Sequence, residues 1–194
     1  ALVVTPHYFK GAMTAAALEK HYRQGAAAAP LPIMLYNVPV FTGIDLPVET
    51  VVNLATHANI IGIKDSSGNV GKLGLTVRET PDDFQVLTGS GSTFLPALAV
   101  GAVGGMMALA NIAAGSLAEL LRFFRQGDVE SAAEIQRRLI APNVAITAKF
   151  GVAGLKAALD MVGGCGGPVR SPLLPLQDSE RNELRAILEA GGLL

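Results

Sequence analysis

The chain has 194 residues, a formal net charge of −1, half of its residues hydrophobic and only 16% charged. That length suffices for a sizeable core, and the composition excludes a disordered segment. No basic patch or run of like charge is present, so nucleic acid is not an expected partner.

In chain order, the apolar run at 2–5 ends at Pro6 and reads as a strand, followed by a helix-like stretch at 14–28. Strand 33–36 ends at Asn37 and is followed by helix 47–56; strand 60–64 ends at Asp65 and is followed by helix 69–79. Strand 85–88 ends at Gly89 before helix 92–100, and the run 105–110 ends at Asn111. Short runs rich in Ile, Val and Leu read as strands buried on both faces, and their alternation with helices reads as βα units and a parallel sheet. Beyond residue 116 only helix-like stretches follow, at 116–126, 129–140, 144–161 and 179–190, with Gly191 and Gly192 as a stop signal. The expected organisation is five βα units over 1–115 and a helical extension over 116–194. An open doubly wound sheet and a closed barrel both satisfy this pattern. The chain opens inside the apolar run ALVV. It therefore reads as a fragment lacking about three βα units, the number that would complete an eight-stranded barrel.

In parallel α/β folds reactive groups collect at the C-terminal ends of strands. Here those positions offer Tyr36, Lys64, Ser66, Gly89, Ser90 and Asn111, with Tyr8 just past the first strand. Lys64 follows IIGI. Desolvation at such a place favours a neutral amine, the form that attacks a carbonyl. The plain alternative is an ion pair at a surface strand end. Period 2 argues against Asp65 as that partner, because successive side chains point to opposite faces. Tyr36 ends the preceding strand. With adjacent strands about 4.8 Å apart, inward-pointing Tyr36 and Lys64 would meet at hydrogen-bond range, where a phenol can move protons; a packed tyrosine is the ordinary alternative. Ser66 shares the Lys64 face and could bind a substrate oxygen, or be a turn serine. Gly89 and Ser90 leave room for a ligand and could offer backbone N–H groups to an anion, or form a tight turn and helix cap.

Other chemistries have little support. GSGST at 89–93 lacks the third glycine and the acidic partner of a dinucleotide fingerprint. His7, His21 and His57 have no metal-ligand spacing, and no metal or cofactor is expected. One cysteine, Cys165, excludes a disulfide framework and fits a reducing compartment. The longest apolar stretch, 94–114, is broken by Pro96, Gly101, Gly104, Gly105 and Asn111, so no membrane span is expected.

The words TPHYFKG at 5–11, LYNVPVFTGIDLP at 35–47, NIIGIKDSSGN at 59–69, VLTGS at 86–90 and GAVGGMMALAN at 101–111 resemble the dihydrodipicolinate synthase / N-acetylneuraminate lyase superfamily. The likeness covers essentially the whole chain. With RLIAPNVAIT, FGVAGLK and GGPVRSPL it looks most like the 4-hydroxy-2-oxoglutarate aldolases. The resemblance implies a (β/α)8 barrel with a C-terminal helical region, usually a homotetramer. It also implies a 2-oxo acid imine on Lys64, proton transfer by Tyr36, and Tyr8 reaching toward a neighbouring subunit's site. Three departures stand out. A Gly-Thr-Thr-type segment that binds the pyruvate carboxylate is absent. Phe41 stands where dihydrodipicolinate synthases usually carry Arg. The first three strands are also missing, so the barrel should not close. The expected activity is cleavage of a 4-hydroxy-2-oxo acid, such as 4-hydroxy-2-oxoglutarate, to pyruvate and an aldehyde such as glyoxylate. The alternatives are dihydrodipicolinate synthase, a 2-keto-3-deoxy-sugar-acid aldolase, or a non-catalytic barrel relative. A cytoplasmic or mitochondrial location is expected.

Overall fold

A computed structural model describes residues 1–194 as two compact units, Ala1–Met106 and Met107–Leu194. The first is built on strands β1 (Leu2–Val4), β2 (Ile33–Asn37), β3 (Ile60–Asp65), β4 (Gln85–Thr88) and β5 (Gly104–Gly105). All neighbours pair in parallel, in the sequential order β1-β2-β3-β4-β5. Its helices are α1 (Ala15–Ala28), the single turn α2 (Pro39–Thr42), α3 (Val48–Ala55), α4 (Val70–Glu79) and α5 (Phe94–Ala99). Leu18 and Tyr22 of α1, Val51 and Leu54 of α3, Leu73 of α4 and Ala97 of α5 share one core cluster with Ile33, Leu35, Ile63 and Val86 of the strands. The helices thus lie against one face of the sheet. Sequential order with helices on a single face is the winding of a barrel wall and rules out the doubly wound alternative.

The expectation of strands buried on both faces is corrected. Burial alternates along β2, and Leu2, Val4 and Ile61 remain partly exposed while Ile33, Leu35 and Ile63 are buried. The helices cover only the second set. Local signals set the helix starts. Thr14 caps α1 by accepting from the Ala17 N–H, and Asn69 caps α4 by accepting from the Lys72 N–H. Burial holds the Tyr22 phenol, whose hydroxyl faces the Val3 carbonyl at 3.3 Å, well above the ordinary tyrosine range.

The largest departure lies at 105–110. The strand there has only two paired residues, Gly104 and Gly105, extended by a bond from the Met106 N–H to the Thr88 carbonyl. The chain then turns, so Asn111 lies in the first turn of a helix rather than at a strand end.

The second unit holds α6 (Ala110–Arg125), α7 (Val129–Val144), α8 (Gly151–Met161) and α9 (Asp178–Ala190). Helix α6 starts six residues earlier than position 116, with a break at Ala113 where φ is −142°. The single helix expected over 144–161 is two: α7 runs on to Val144, a wide π turn spans Ala145–Lys149, and α8 restarts at Gly151, whose φ is +55°. Helix α9 opens with a reciprocal cap between Gln177 and Glu180 and ends at Gly191. No helix is long and apolar enough to cross a membrane.

Candidate active site

The register of β2 against β3 is anchored at the base of the strands. The Asn59 side-chain amide donates to the carbonyls of Ala26, Ala29 and Leu31, and the Asn59 carbonyl accepts from the Ile33 N–H. Past a one-residue shift between Ile33 and Met34, Tyr36 lies directly opposite Lys64 at the other end. Both point to the face away from the helices. The Lys64 amine sits over the Tyr36 ring, 4.1 Å from its centroid. The two groups meet as an amine over an aromatic face and not through the hydrogen bond to the phenol that strand spacing suggested.

Ser66 and Gly89 join this pair. A Cβ built on Gly89 would lie 1.8 Å from the Ser66 hydroxyl and 3.1 Å from Lys64 Cε, so only glycine leaves that space open. The turn carrying Gly89 and Ser90 does not present free donors, however. The Gly89 N–H donates to the Asp65 carbonyl at 2.7 Å, and the Ser90 N–H to the Thr88 hydroxyl at 3.2 Å. The two N–H groups read as donors to an anion are thus engaged by the strand ladder and an ST turn. Tyr8 is not brought to the pair; it is 88% exposed, with its ring edge-on to Phe9 at 5.0 Å. Phe41, on α2, is 78% exposed.

Asp65 turns away from Lys64, as alternation requires, into a buried network that the residue-by-residue reading missed. Its carboxylate accepts from the Asn37 amide at 2.8 Å, the Ser67 N–H at 2.8 Å and the Ser67 hydroxyl at 2.5 Å, and it pairs with Lys72 at 3.3 Å. Asn37 also donates to Asp45 at 2.7 Å and accepts from the Leu46 N–H at 3.0 Å, while Lys72 forms a second ion pair with Asp45. The signal available in the sequence was a polar residue one step past each candidate, Asn37 after Tyr36 and Asp65 after Lys64.

A lysine amine, a tyrosine ring and a serine hydroxyl thus converge at the ends of adjacent parallel strands around a space that only glycine leaves open. The chain belongs to the dihydrodipicolinate synthetase family, whose model matches residues 1–191. It is 36% identical over 188 residues to a 4-hydroxy-tetrahydrodipicolinate synthase of Listeria monocytogenes serotype 4a, an alignment covering 97% of this chain and 64% of the relative. Among solved structures, a dihydrodipicolinate synthase from Bacillus anthracis superposes with a TM-score of 0.92 at 34% identity, over 97% of this chain and 64% of that one. A prophage protein of the same family from E. coli K12, solved in complex with pyruvate, superposes with a TM-score of 0.91 at 30% identity, over 100% and 66%. The chain thus spans about 64% of the length of the curated relatives it matches.

Proposed function

We propose that this chain carries the imine-forming centre of a pyruvate-handling lyase, with Lys64 as the amine and Tyr36 as the proton-transfer residue. The observation that carries the reading is the Lys64 amine over the Tyr36 ring beside the space kept open by Gly89. The five-stranded sheet is then an arc of a closed (β/α)8 barrel. The neutral amine attacks C2 of the 2-oxo acid, and the carbinolamine loses water as Tyr36 moves protons between the two groups. The resulting protonated imine is an electron sink. Ser66 is assigned to a substrate oxygen, and Gly89 and Ser90 to the wall of the pocket. Tyr8, exposed at a loop, is assigned to the site of a neighbouring subunit in a homo-oligomer.

Two second steps are open to such an imine. The names of the relatives support condensation: the pyruvate enamine attacks the aldehyde of a second substrate, aspartate semialdehyde. Phe41 supports cleavage. In that direction the C3–C4 bond of a 4-hydroxy-2-oxo acid breaks into the imine, the C4 hydroxyl gives up its proton and leaves as an aldehyde such as glyoxylate, and the enamine takes a proton at C3 before water releases pyruvate. An exposed phenylalanine supplies no cation for the second carboxylate of a condensation partner. We therefore favour cleavage of 4-hydroxy-2-oxoglutarate.

The test uses the intact protein. Borohydride in the presence of pyruvate should add one pyruvate-derived group per chain on the Lys64 peptide. An adduct on Lys10, Lys72 or Lys149 instead would refute the reading. A higher kcat/KM for condensation than for cleavage would replace the second step with the first. The same pocket predicts the effect of Gly89→Ala. The added methyl meets the Ser66 hydroxyl, a side-chain end that can rotate away, but also Ser66 Cβ at 2.8 Å, so the 65–67 turn must shift, and it crowds Lys64 Cε. Some loss of melting temperature should accompany a fall in kcat of about 10²-fold, the scale of an ångström-sized misplacement. Parental kcat would mean that the space beside Lys64 is not used.

A further inference from the structure

Behind the reactive pair, on the opposite face of the same strand ends, runs a rung of buried polar side chains. Thr5, Asn37, Asp65 and Thr88 are 0%, 0%, 2% and 0% exposed. Asn37 pairs with Asp65 and Asp65 with Thr88 in the strand register, and the Thr5 N–H reaches the carbonyl of Tyr36. Buried carboxylates are costly, and apolar side chains of similar size often hold a core as well or better. Stability alone therefore does not account for a charge at position 65.

The bonds of Asp65 point to another role. One oxygen takes both the N–H and the hydroxyl of Ser67; the other takes Asn37 and Lys72. The carboxylate thus closes the turn 65–67 on itself and ties it to β2 and α4. Ser66, enclosed in that turn, donates its N–H to the Asn37 carbonyl at 2.8 Å, and its hydroxyl occupies the space over Gly89, beside Lys64 Cε. Lys64 immediately precedes the clamped residue. Thr88 plays the matching part on β4, accepting from the Ser90 N–H.

We propose that Asp65 is a positioning residue for the Lys64–Ser66–Gly89 pocket. Held by Asn37 and Lys72, its carboxylate clamps the 65–67 turn and so sets where the Lys64 amine and the Ser66 hydroxyl stand toward a bound 2-oxo acid. The inference rests on the Schiff-base reading above.

Two variants of the intact protein test it. Asp65→Asn keeps the shape but leaves one accepting oxygen, so the clamp opens on one side. Ser67→Ala removes only the hydroxyl that ties the turn. Each is assayed well below its own melting temperature for the rate of borohydride-trapped pyruvate adduct at Lys64, for kcat and for KM. Asp65→Asn should slow trapping and lower kcat by about 10²-fold, and Ser67→Ala should act in the same direction to a smaller extent. KM should stay near the parental value, because the turn sets the geometry of reacting groups without adding a contact to the substrate. A folded Asp65→Asn that traps pyruvate at the parental rate overturns the proposal. If Asp65→Asn does not fold, Ser67→Ala decides it by the same criterion. Absence of any adduct in the parent overturns the Schiff-base reading and this inference together; an adduct in the parent with unchanged variants overturns the positioning role alone.

Discussion

Lys64→Arg should abolish the pyruvate adduct and all measurable turnover while leaving the protein folded. Guanidinium stays protonated at any pH the protein survives, so it cannot be the attacking amine. The variant is otherwise mild. Lys64 is half-buried at the end of β3, its amine lies over an aromatic face, and its only acidic neighbour in sequence, Asp65, faces the other way. A guanidinium stacks on the same ring surface, so the contact with Tyr36 survives in kind. Melting near the parental temperature together with no adduct after borohydride assigns the loss to chemistry. Residual adduct elsewhere in the chain would move the imine to another lysine, and retained turnover would remove the Schiff base from the mechanism.

Tyr36→Phe should lower kcat by about 10²- to 10⁴-fold, the range for a lost general acid–base group. This substitution is unusually clean because the Lys64 amine is packed against the ring and makes no bond to the hydroxyl. Phenylalanine keeps that face, so the amine should stay in place and folding should be nearly unchanged. On the proposed reading, what disappears is the proton carrier for formation and collapse of the carbinolamine. The loss should therefore fall on kcat, with slower trapping of pyruvate, more than on KM. Activity within a few-fold of the parent would reduce Tyr36 to a packing residue that shapes the Lys64 environment.

The site was legible where the signal was local. IMLYN and IIGIKD are short apolar runs that end in polar residues. Two such runs in parallel put Tyr36 level with Lys64 once a one-residue shift after Ile33 is taken up, and strand alternation alone placed Asp65 on the far side. The residues around the pair were harder to read. Tyr8, Gly89 and Ser90 were singled out by their positions after strands, but position alone did not show that Tyr8 is exposed or that the N–H groups of Gly89 and Ser90 are already engaged.

By itself the sequence determined the βα alternation, the parallel sheet, most helix boundaries and the adjacency of Tyr36 and Lys64. These follow from period, capping residues and turn residues, which act over a few positions. The tertiary structure alone decided the rest. In 101–110 the run GAVGGMMALA has no polar side chain, so no periodicity separates strand from helix; pairing with the already placed β4 stops the strand at Gly105 and lets the helix begin at Ala110. Covering by helices chose which face of the sheet became core. The Asn37–Asp65–Lys72–Asp45 network joins β2, the segment after it, β3 and α4, residues separated by up to 35 positions that come together only when all four elements are packed. A buried carboxylate is tolerable only once every one of those donors is in place, and that condition is met by the fold as a whole and by no stretch of the chain alone.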